Sequence, residues 1–295
     1  MKSKIVLLIL AVIAGPSIGQ DKESIQGHSH AENPLQKTSL TSLEQLHVSV
    51  QKICPVSGQK LGAMGEPIKV RVGQQTAFLC CKGCQGKKLS AKHWAKIQSN
   101  LAAAQMTCPI MGKPVTASMK STVVNGQQVF VCCPPCIAKI QTDVAGSLKK
   151  VNANYVSFVK TEKQANGDKL HIAAQGICPV SGAKLGSMGS PIKVKVGEKE
   201  HAFLCCKGCV GKKLSADHWK KIQTNLATAQ GVCPVMEEKV DATMKFTVVN
   251  GRRVFVCCPP CIAKIEAKPG EFIDKVNSQI ARNIAKKTSN NSSAK

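Results

Sequence analysis

The sequence predicts an α+β protein made of four small ββα modules in tandem, arranged as two duplicated pairs. Its 16 cysteines repeat one pattern four times, a Cys-Pro followed 24 to 27 residues later by Cys-Cys-x-x-Cys, and none is left over. The motif ICPVSG of residues 53–58 returns at 177–182, and VFVCCPPCIAKI of residues 129–140 returns at 254–265. Self-similarity of this kind is the signature of a repeat architecture.

The N-terminal residues have the pattern of a secretory signal. Lys2 and Lys4 precede an apolar run at 5–14, and small residues follow at 17–19. We therefore expect a signal peptide at 1–19 and an exported chain, periplasmic or secreted. No other stretch of the sequence predicts a transmembrane helix. The other expected boundaries are a flexible leader at 20–45, modules at 46–101 and 102–160, a linker at 161–169, modules at 170–226 and 227–287, and a disordered tail at 288–295.

Local signals give the order of elements within a module. Asn125-Gly126 lies between two apolar runs and is the strongest short signal for a β-hairpin. After the cysteine cluster the apolar period becomes helical, as in Trp94 and Ile97 behind Ser90, which we expect to be an N-cap. Each module is thus predicted to be a Cys-Pro knuckle, a hairpin that leads into the cysteines, and a helix.

The cysteines are the candidate metal ligands. A module of about 50 residues is too small to be stable by apolar burial alone, so a metal or disulfides must compensate. Four thiols fill a tetrahedral site for a soft metal ion, and Cys-x-x-Cys is a common knuckle spacing. About four ions per chain are therefore expected. The four sets are Cys54, Cys80, Cys81 and Cys84; Cys108, Cys132, Cys133 and Cys136; Cys178, Cys205, Cys206 and Cys209; and Cys233, Cys257, Cys258 and Cys261.

These motifs resemble the TRASH/YHS-like group of small heavy-metal-binding modules, which are treble-clef, zinc-finger-like units. The family pattern is Cys-x-x-Cys-Gly, a hairpin, and an aromatic-Cys-x-x-x-Cys that leads into a helix, and the resemblance covers nearly all of residues 46–287. It implies that Cys54, Cys80 and Cys84 match the first, third and fourth ligands of the family. The corresponding residues elsewhere are Cys108, Cys132 and Cys136; Cys178, Cys205 and Cys209; and Cys233, Cys257 and Cys261.

The family's second cysteine is missing from all four modules. Its place is taken by Ser57, Met111, Ser181 and Met236. The extra cysteines, Cys81, Cys133, Cys206 and Cys258, are candidates to restore the lost thiolate. Spacing alone favours Cys81 with Cys84, whereas the resemblance favours Cys80 with Cys84, and both remain open. Neighbouring strand residues point to opposite faces, so both members of a pair face one metal only if the strand ends there.

The donor set suits Zn(II) and Cu(I). We expect Zn(II) first, with Cu(I) as the alternative, because Met111 and Met236 are possible secondary ligands and Cu(I) accepts thioether sulfur. The simpler interpretation of the methionines is that they fill gaps in a core poor in aromatic residues.

Two other interpretations of the cysteines remain. In an exported chain an even cysteine count is also typical of a disulfide-stapled structural or adaptor protein. Cys133-Pro-Pro-Cys136 and its repeat at 258–261 have the spacing of a thiol-disulfide oxidoreductase, but a module lacks the length of such a fold.

We expect no enzyme activity, because no catalytic pattern of serine, histidine and carboxylate residues stands out in the sequence. The formal net charge of +24 at pH 7 raises the question of nucleic acid, but lysines are scattered and aromatic residues make up only 3% of the chain. The expected partners are therefore metal ions, with an envelope or extracellular protein as a further candidate and no nucleic acid.

Overall fold

The computed structural model describes residues 40–292, with side chains to residue 289. The expected signal peptide and most of the expected leader lie outside this range. The described helices are α1 (Ser42–Gln51), α2 (Ala91–Gln105), α3 (Pro135–Thr142), α4 (Val144–Gln175), α5 (Ala216–Gln230), α6 (Pro260–Ala267) and α7 (Pro269–Ser292). The strands are β1 (Ile68–Val72), β2 (Gln75–Leu79), β3 (Ser121–Val124), β4 (Gln127–Phe130), β5 (Ile192–Val196), β6 (Glu200–Leu204), β7 (Phe246–Val249) and β8 (Arg252–Phe255).

The strands form four antiparallel hairpins, β1–β2, β3–β4, β5–β6 and β7–β8, each a sheet of its own. In β3–β4, Val124 pairs with Gln127, which leaves Asn125 and Gly126 as the two-residue turn. Both turn residues have positive φ, 50° and 78°, as a type I′ hairpin turn requires. The side chain of Ser90 accepts a hydrogen bond from the backbone N–H of His93 and caps α2. The sequence-based predictions of the hairpin and of this N-cap are confirmed.

The helices extend further than the sequence predicted. Residues 161–169, expected to be a linker, are the middle of α4, a helix of 32 residues. The segment is polar and most of it is exposed, whereas Val151 and Tyr155 before it and Ala174 after it are buried. α1 also begins inside the expected leader, where Thr41 and Glu44 form a capping box, and α7 continues into the expected tail.

Helices and hairpins pack into two large and two small apolar clusters. The large clusters lie around the second and fourth modules; one includes Val151 and Tyr155 of α4, the other Ala174 at the end of the same helix. In the small clusters, around the first and third modules, half of the buried residues are cysteines, and their neighbours include Phe78 and Leu79. Apolar burial is therefore weakest in modules one and three, where the thiol groups make up much of the core.

Within each half, the two hairpins meet at their turns. The backbone N–H of Thr76 donates to Gly126 O at 2.7 Å, and that of His201 donates to Gly251 O at 2.7 Å. A Cβ on Gly126 would lie 2.5 Å from Thr76 Oγ1, so only glycine fits this approach. The modules of a pair thus contact one another directly through backbone.

A buried glutamine ends the helix that leads into each module. These residues are Gln51, Gln105, Gln175 and Gln230. The Gln51 amide N–H₂ donates to Ile53 O at 2.9 Å and to Phe78 O at 2.7 Å, and its oxygen accepts from Phe78 N–H at 2.9 Å. The other three repeat the pattern. Each glutamine therefore fixes the knuckle to the strand that carries the cysteine pair.

Candidate metal centre

The first cysteine of each module sits in a tight backbone loop. In module one, Cys54 N–H donates to Gln59 O at 2.8 Å, and Gly58 N–H donates back to Cys54 O at 2.9 Å. Gly58 has a φ of 73°, which glycine adopts without strain. The loop is held to α2 because Ser90 N–H donates to Pro55 O at 2.9 Å. The equivalent loop of module four has Glu237 at the glycine position, with a φ of 60°.

Three cysteine sulfurs converge in every module. In each case the first, third and fourth residues of the family pattern have sulfurs that all lie within 4.8 Å of one another. The groups are Cys54, Cys80 and Cys84; Cys108, Cys132 and Cys136; Cys178, Cys205 and Cys209; and Cys233, Cys257 and Cys261. Residues 40–292 thus contain four cysteine clusters that are placed to hold metal ions.

The remaining cysteine of each module, the second member of the vicinal pair, lies at the edge of this trio. Cys81 Sγ is 3.9 Å from Cys80 Sγ and 3.9 Å from Cys84 Sγ, while Cys80 and Cys84 are 3.8 Å apart. Cys81 is part-exposed, whereas Cys80 and Cys84 are buried. β2 ends at Leu79, so the vicinal pair follows the strand rather than continuing its alternation.

These distances fit a thiolate-bound metal ion. A tetrahedral ion with metal–sulfur bonds of about 2.3 Å separates its sulfur ligands by about 3.8 Å. The three spacings in module one have this length, as do those of module three at 3.7, 3.8 and 3.9 Å. Sulfur-only coordination is the kind that Zn(II) and Cu(I) accept.

Modules two and four are less regular. Cys133 and Cys136 sulfurs are 3.1 Å apart, while Cys132 and Cys133 sulfurs are 4.0 Å apart. In module four the short spacing, 3.3 Å, again joins the two cysteines that flank the Pro-Pro pair. All sixteen cysteines are free thiols, and none of these spacings approaches the disulfide bond length of about 2 Å.

Backbone N–H groups help to lower the pKa of the first cysteine in modules one and three. Burial raises the pKa of the Cys54 thiol, but N–H groups of Ser57 and Cys80 and the Ser57 hydroxyl more than offset it, and the pKa falls to about 6. Cys178 has the same surroundings and also a pKa of about 6. Burial and the neighbouring sulfurs raise the pKa of Cys84 to about 12. The first cysteine therefore gives up its proton most readily, and a metal ion must displace the proton of Cys84.

While modules one and three are folded without metal, their first thiolates are expected to form near pH 6, at Cys54 and Cys178, well below the 9.0 of an unperturbed thiol. Between pH 6 and 9 the folded state then binds fewer protons at these sites than the unfolded state. Their contribution to stability should rise across that window and be lost as the pH falls through 6. Titration of the thiolate ultraviolet absorbance measures this step. A Cys54→Ser, Cys178→Ser double variant should lose it, and an unchanged titration would contradict the assignment.

In modules one and three a serine hydroxyl lies beside the sulfurs, and a histidine packs against the knuckle. Ser57 Oγ lies 3.3 Å from Cys80 Sγ, and Ser181 Oγ lies 3.3 Å from Cys205 Sγ. His93 Nδ1 is 3.1 Å from Val56 O, and its ring lies so close to Gly58 that a Cβ there would be 2.6 Å from Nε2. His93 is a half-buried packing residue that holds the knuckle in place.

The knuckle methionines do not fill the core. Met111 is 52% exposed and Met236 is 54% exposed, so the expected gap-filling role is wrong for both residues. Backbone N–H groups of these two residues nevertheless donate to the sulfurs of Cys108 and Cys233. The methionine side chains thus begin directly beside a cysteine cluster and extend into solvent.

No protein-family model, no curated protein and no solved structure matches this chain. Among the helices of residues 40–292, none is both long and apolar enough to cross a bilayer.

Proposed function

We propose that the protein is an exported, non-catalytic carrier of soft metal ions, built from four TRASH/YHS-like, zinc-finger-like modules. The convergence of three cysteine sulfurs within 4.8 Å, repeated four times, is the observation that supports this most strongly. About four ions per chain are expected, as Zn(II) or Cu(I).

The exposure of the cysteines favours exchangeable metal over a purely structural ion. Cys54 and Cys84 are buried, but the second member of each vicinal pair is part-exposed, as Cys81 is. A competing thiolate from an acceptor could reach the metal at that cysteine first and exchange ligands there. We therefore favour sequestration or transfer of the ion, with another envelope or extracellular protein as the acceptor.

Native mass spectrometry of the mature protein, purified from its own compartment, tests this proposal. We expect extra mass equal to about four metal ions, which is lost on denaturation, and sixteen free thiols in the denatured, metal-free protein. A graded series of chelators should then remove the ions one at a time, so that only the hairpin of an emptied module opens while the rest of the protein stays folded. Metal that leaves only when the whole protein unfolds would refute the carrier role. A metal-free mass with paired cysteines would refute metal binding and favour the disulfide-stapled alternative.

A further inference from the structure

The residue three positions after the first cysteine alternates along the chain. It is serine in modules one and three and methionine in modules two and four. The two residue types offer a metal centre different chemistry, since a hydroxyl donates a hydrogen bond and a thioether is a soft, uncharged ligand. The inference drawn from this alternation rests on the proposed function, because it concerns which ion each centre takes.

The serine-containing centres are closed and regular. Ser57 Oγ accepts from Gln59 N–H at 3.2 Å and lies 3.3 Å from Cys80 Sγ, so its single proton faces the sulfurs of Cys54 and Cys80. Cys80 is only 1% exposed, and the equivalent Cys205 is also 1% exposed. A hydrogen bond to a buried thiolate stabilises its charge. These centres therefore suit an ion that keeps several anionic sulfurs in tetrahedral geometry, as Zn(II) does.

The methionine-containing centres are more open and less symmetric. The third cysteine of each, Cys132 or Cys257, is part-exposed rather than buried. The sulfurs of Cys133 and Cys136 lie 3.1 Å apart, and those of Cys258 and Cys261 3.3 Å apart, so the four thiols do not form a regular tetrahedron. No serine hydroxyl faces the sulfurs at the corresponding position.

The methionine side chains are placed to complete these open centres. Each begins at a backbone N–H that donates to the first cysteine's sulfur, and each is about half exposed. Methionine has three rotatable side-chain bonds and is free to turn its sulfur toward the centre without disturbing packed neighbours. Thioether sulfur is a good ligand for Cu(I) and a poor one for Zn(II).

We propose that the protein has two classes of metal centre. Modules one and three bind Zn(II) through thiolates alone, and modules two and four bind a soft monovalent ion, Cu(I), with Met111 or Met236 as an additional ligand. A single chain then carries two ions of each kind.

Competitive loading of the full-length mature chain tests this assignment. The reduced, metal-free protein is saturated with Zn(II) under anaerobic conditions and then titrated with Cu(I). Native mass spectrometry counts both metals, and alkylation followed by peptide mapping reports which cysteines each metal protects. We expect the first two copper ions to replace zinc at the clusters of Cys108 and Cys233, while those of Cys54 and Cys178 keep zinc. Copper that enters all four clusters in parallel would overturn the proposal.

Two double variants test whether Met111 and Met236 bind Cu(I) as ligands or whether any exposed methionine has the same effect on Cu(I) binding. Met111→Ser with Met236→Ser should weaken Cu(I) binding by about 10- to 100-fold, the range typical of losing a group that supports a metal site, with Zn(II) unchanged. The matched control is Met64→Ser with Met188→Ser, at residues 63% and 61% exposed outside the knuckles, and it should have no effect. Equal effects of the two pairs would overturn the role of Met111 and Met236. Absence of any bound metal would instead refute the proposed function itself.

Discussion

Replacing Gln105 by leucine is expected to destabilise the protein by about 3–5 kcal/mol, because each buried polar group left unpaired costs about 1–3 kcal/mol. Gln105 has no solvent exposure. Its amide N–H₂ donates to Thr107 O at 3.0 Å and Phe130 O at 2.7 Å, and its oxygen accepts from Phe130 N–H at 2.8 Å. Leucine has nearly the same volume but satisfies none of these three groups. Urea unfolding of the metal-loaded protein measures the loss.

The matched control is Gln141→Leu, on the exposed face of α3. It should change the free energy of unfolding by less than about 0.5 kcal/mol, as surface substitutions usually do. The Gln105 variant should also hold metal less tightly in module two, because Phe130 ends the strand that leads to Cys132. Similar stabilities for the two variants would show that the buried hydrogen bonds of Gln105 are dispensable.

Gln105 also shows where sequence reasoning stops. The recurrence of glutamine three residues before each first cysteine is visible in the sequence. Its partner, Phe130, is 25 residues away, and no local rule connects the two. The Asn125-Gly126 turn and the Ser90 cap were predictable because both depend on interactions within four residues.

The long helix α4 was missed for a related reason. Residues 161–169 are polar and contain Gly167, which in isolation is typical of a linker. The segment is helical because buried residues on both sides of it, such as Tyr155 and His171, anchor the helix to two separate cores. Tertiary packing of this kind overrides local propensity.

The choice between members of each vicinal cysteine pair was likewise open from the sequence. Spacing favoured Cys81 with Cys84, and the family resemblance favoured Cys80 with Cys84. In the structure Cys80 belongs to the converging trio, while Cys81 is extended, with φ −165° and ψ 166°, and lies 3.9 Å from both neighbours. The positions of both sulfurs depend on where β2 ends and on the 3-10 turn at Lys82–Cys84, which periodicity does not reveal.

Cys54→Ser is expected to remove one metal ion per chain and to open the β1–β2 hairpin while the second half of the protein stays folded. The small apolar cluster of module one contains Cys54 itself, two further cysteines and only three other buried residues, Leu61, Phe78 and Leu79. Without its ion this module loses much of what holds it, since metal-binding energy in such modules is folding energy. Serine cannot replace the thiolate as a soft-metal ligand.

The loss of folded structure caused by Cys54→Ser should stop near the boundary between modules one and two. Ile97 and Leu101 of α2 belong to the large cluster of module two, so α2 remains packed when module one opens. The hairpins of the two modules meet through the Thr76–Gly126 backbone hydrogen bond, and modest loosening of the β3–β4 turn is expected there. No backbone hydrogen bond links β1–β2 to β7–β8 among residues 40–292.

Native mass spectrometry and hydrogen exchange on the same sample measure this outcome. The metal count should fall by one, and exchange in β1–β2 should accelerate by more than about a hundredfold, which corresponds to a local loss of about 3 kcal/mol. Cys178→Ser is the mirror control and should open β5–β6 instead, because its module repeats the same contacts. Loss of protection in all four hairpins from either substitution would mean that the metal centres stabilise one cooperative unit, and exchange of a single ion would then unfold the whole carrier.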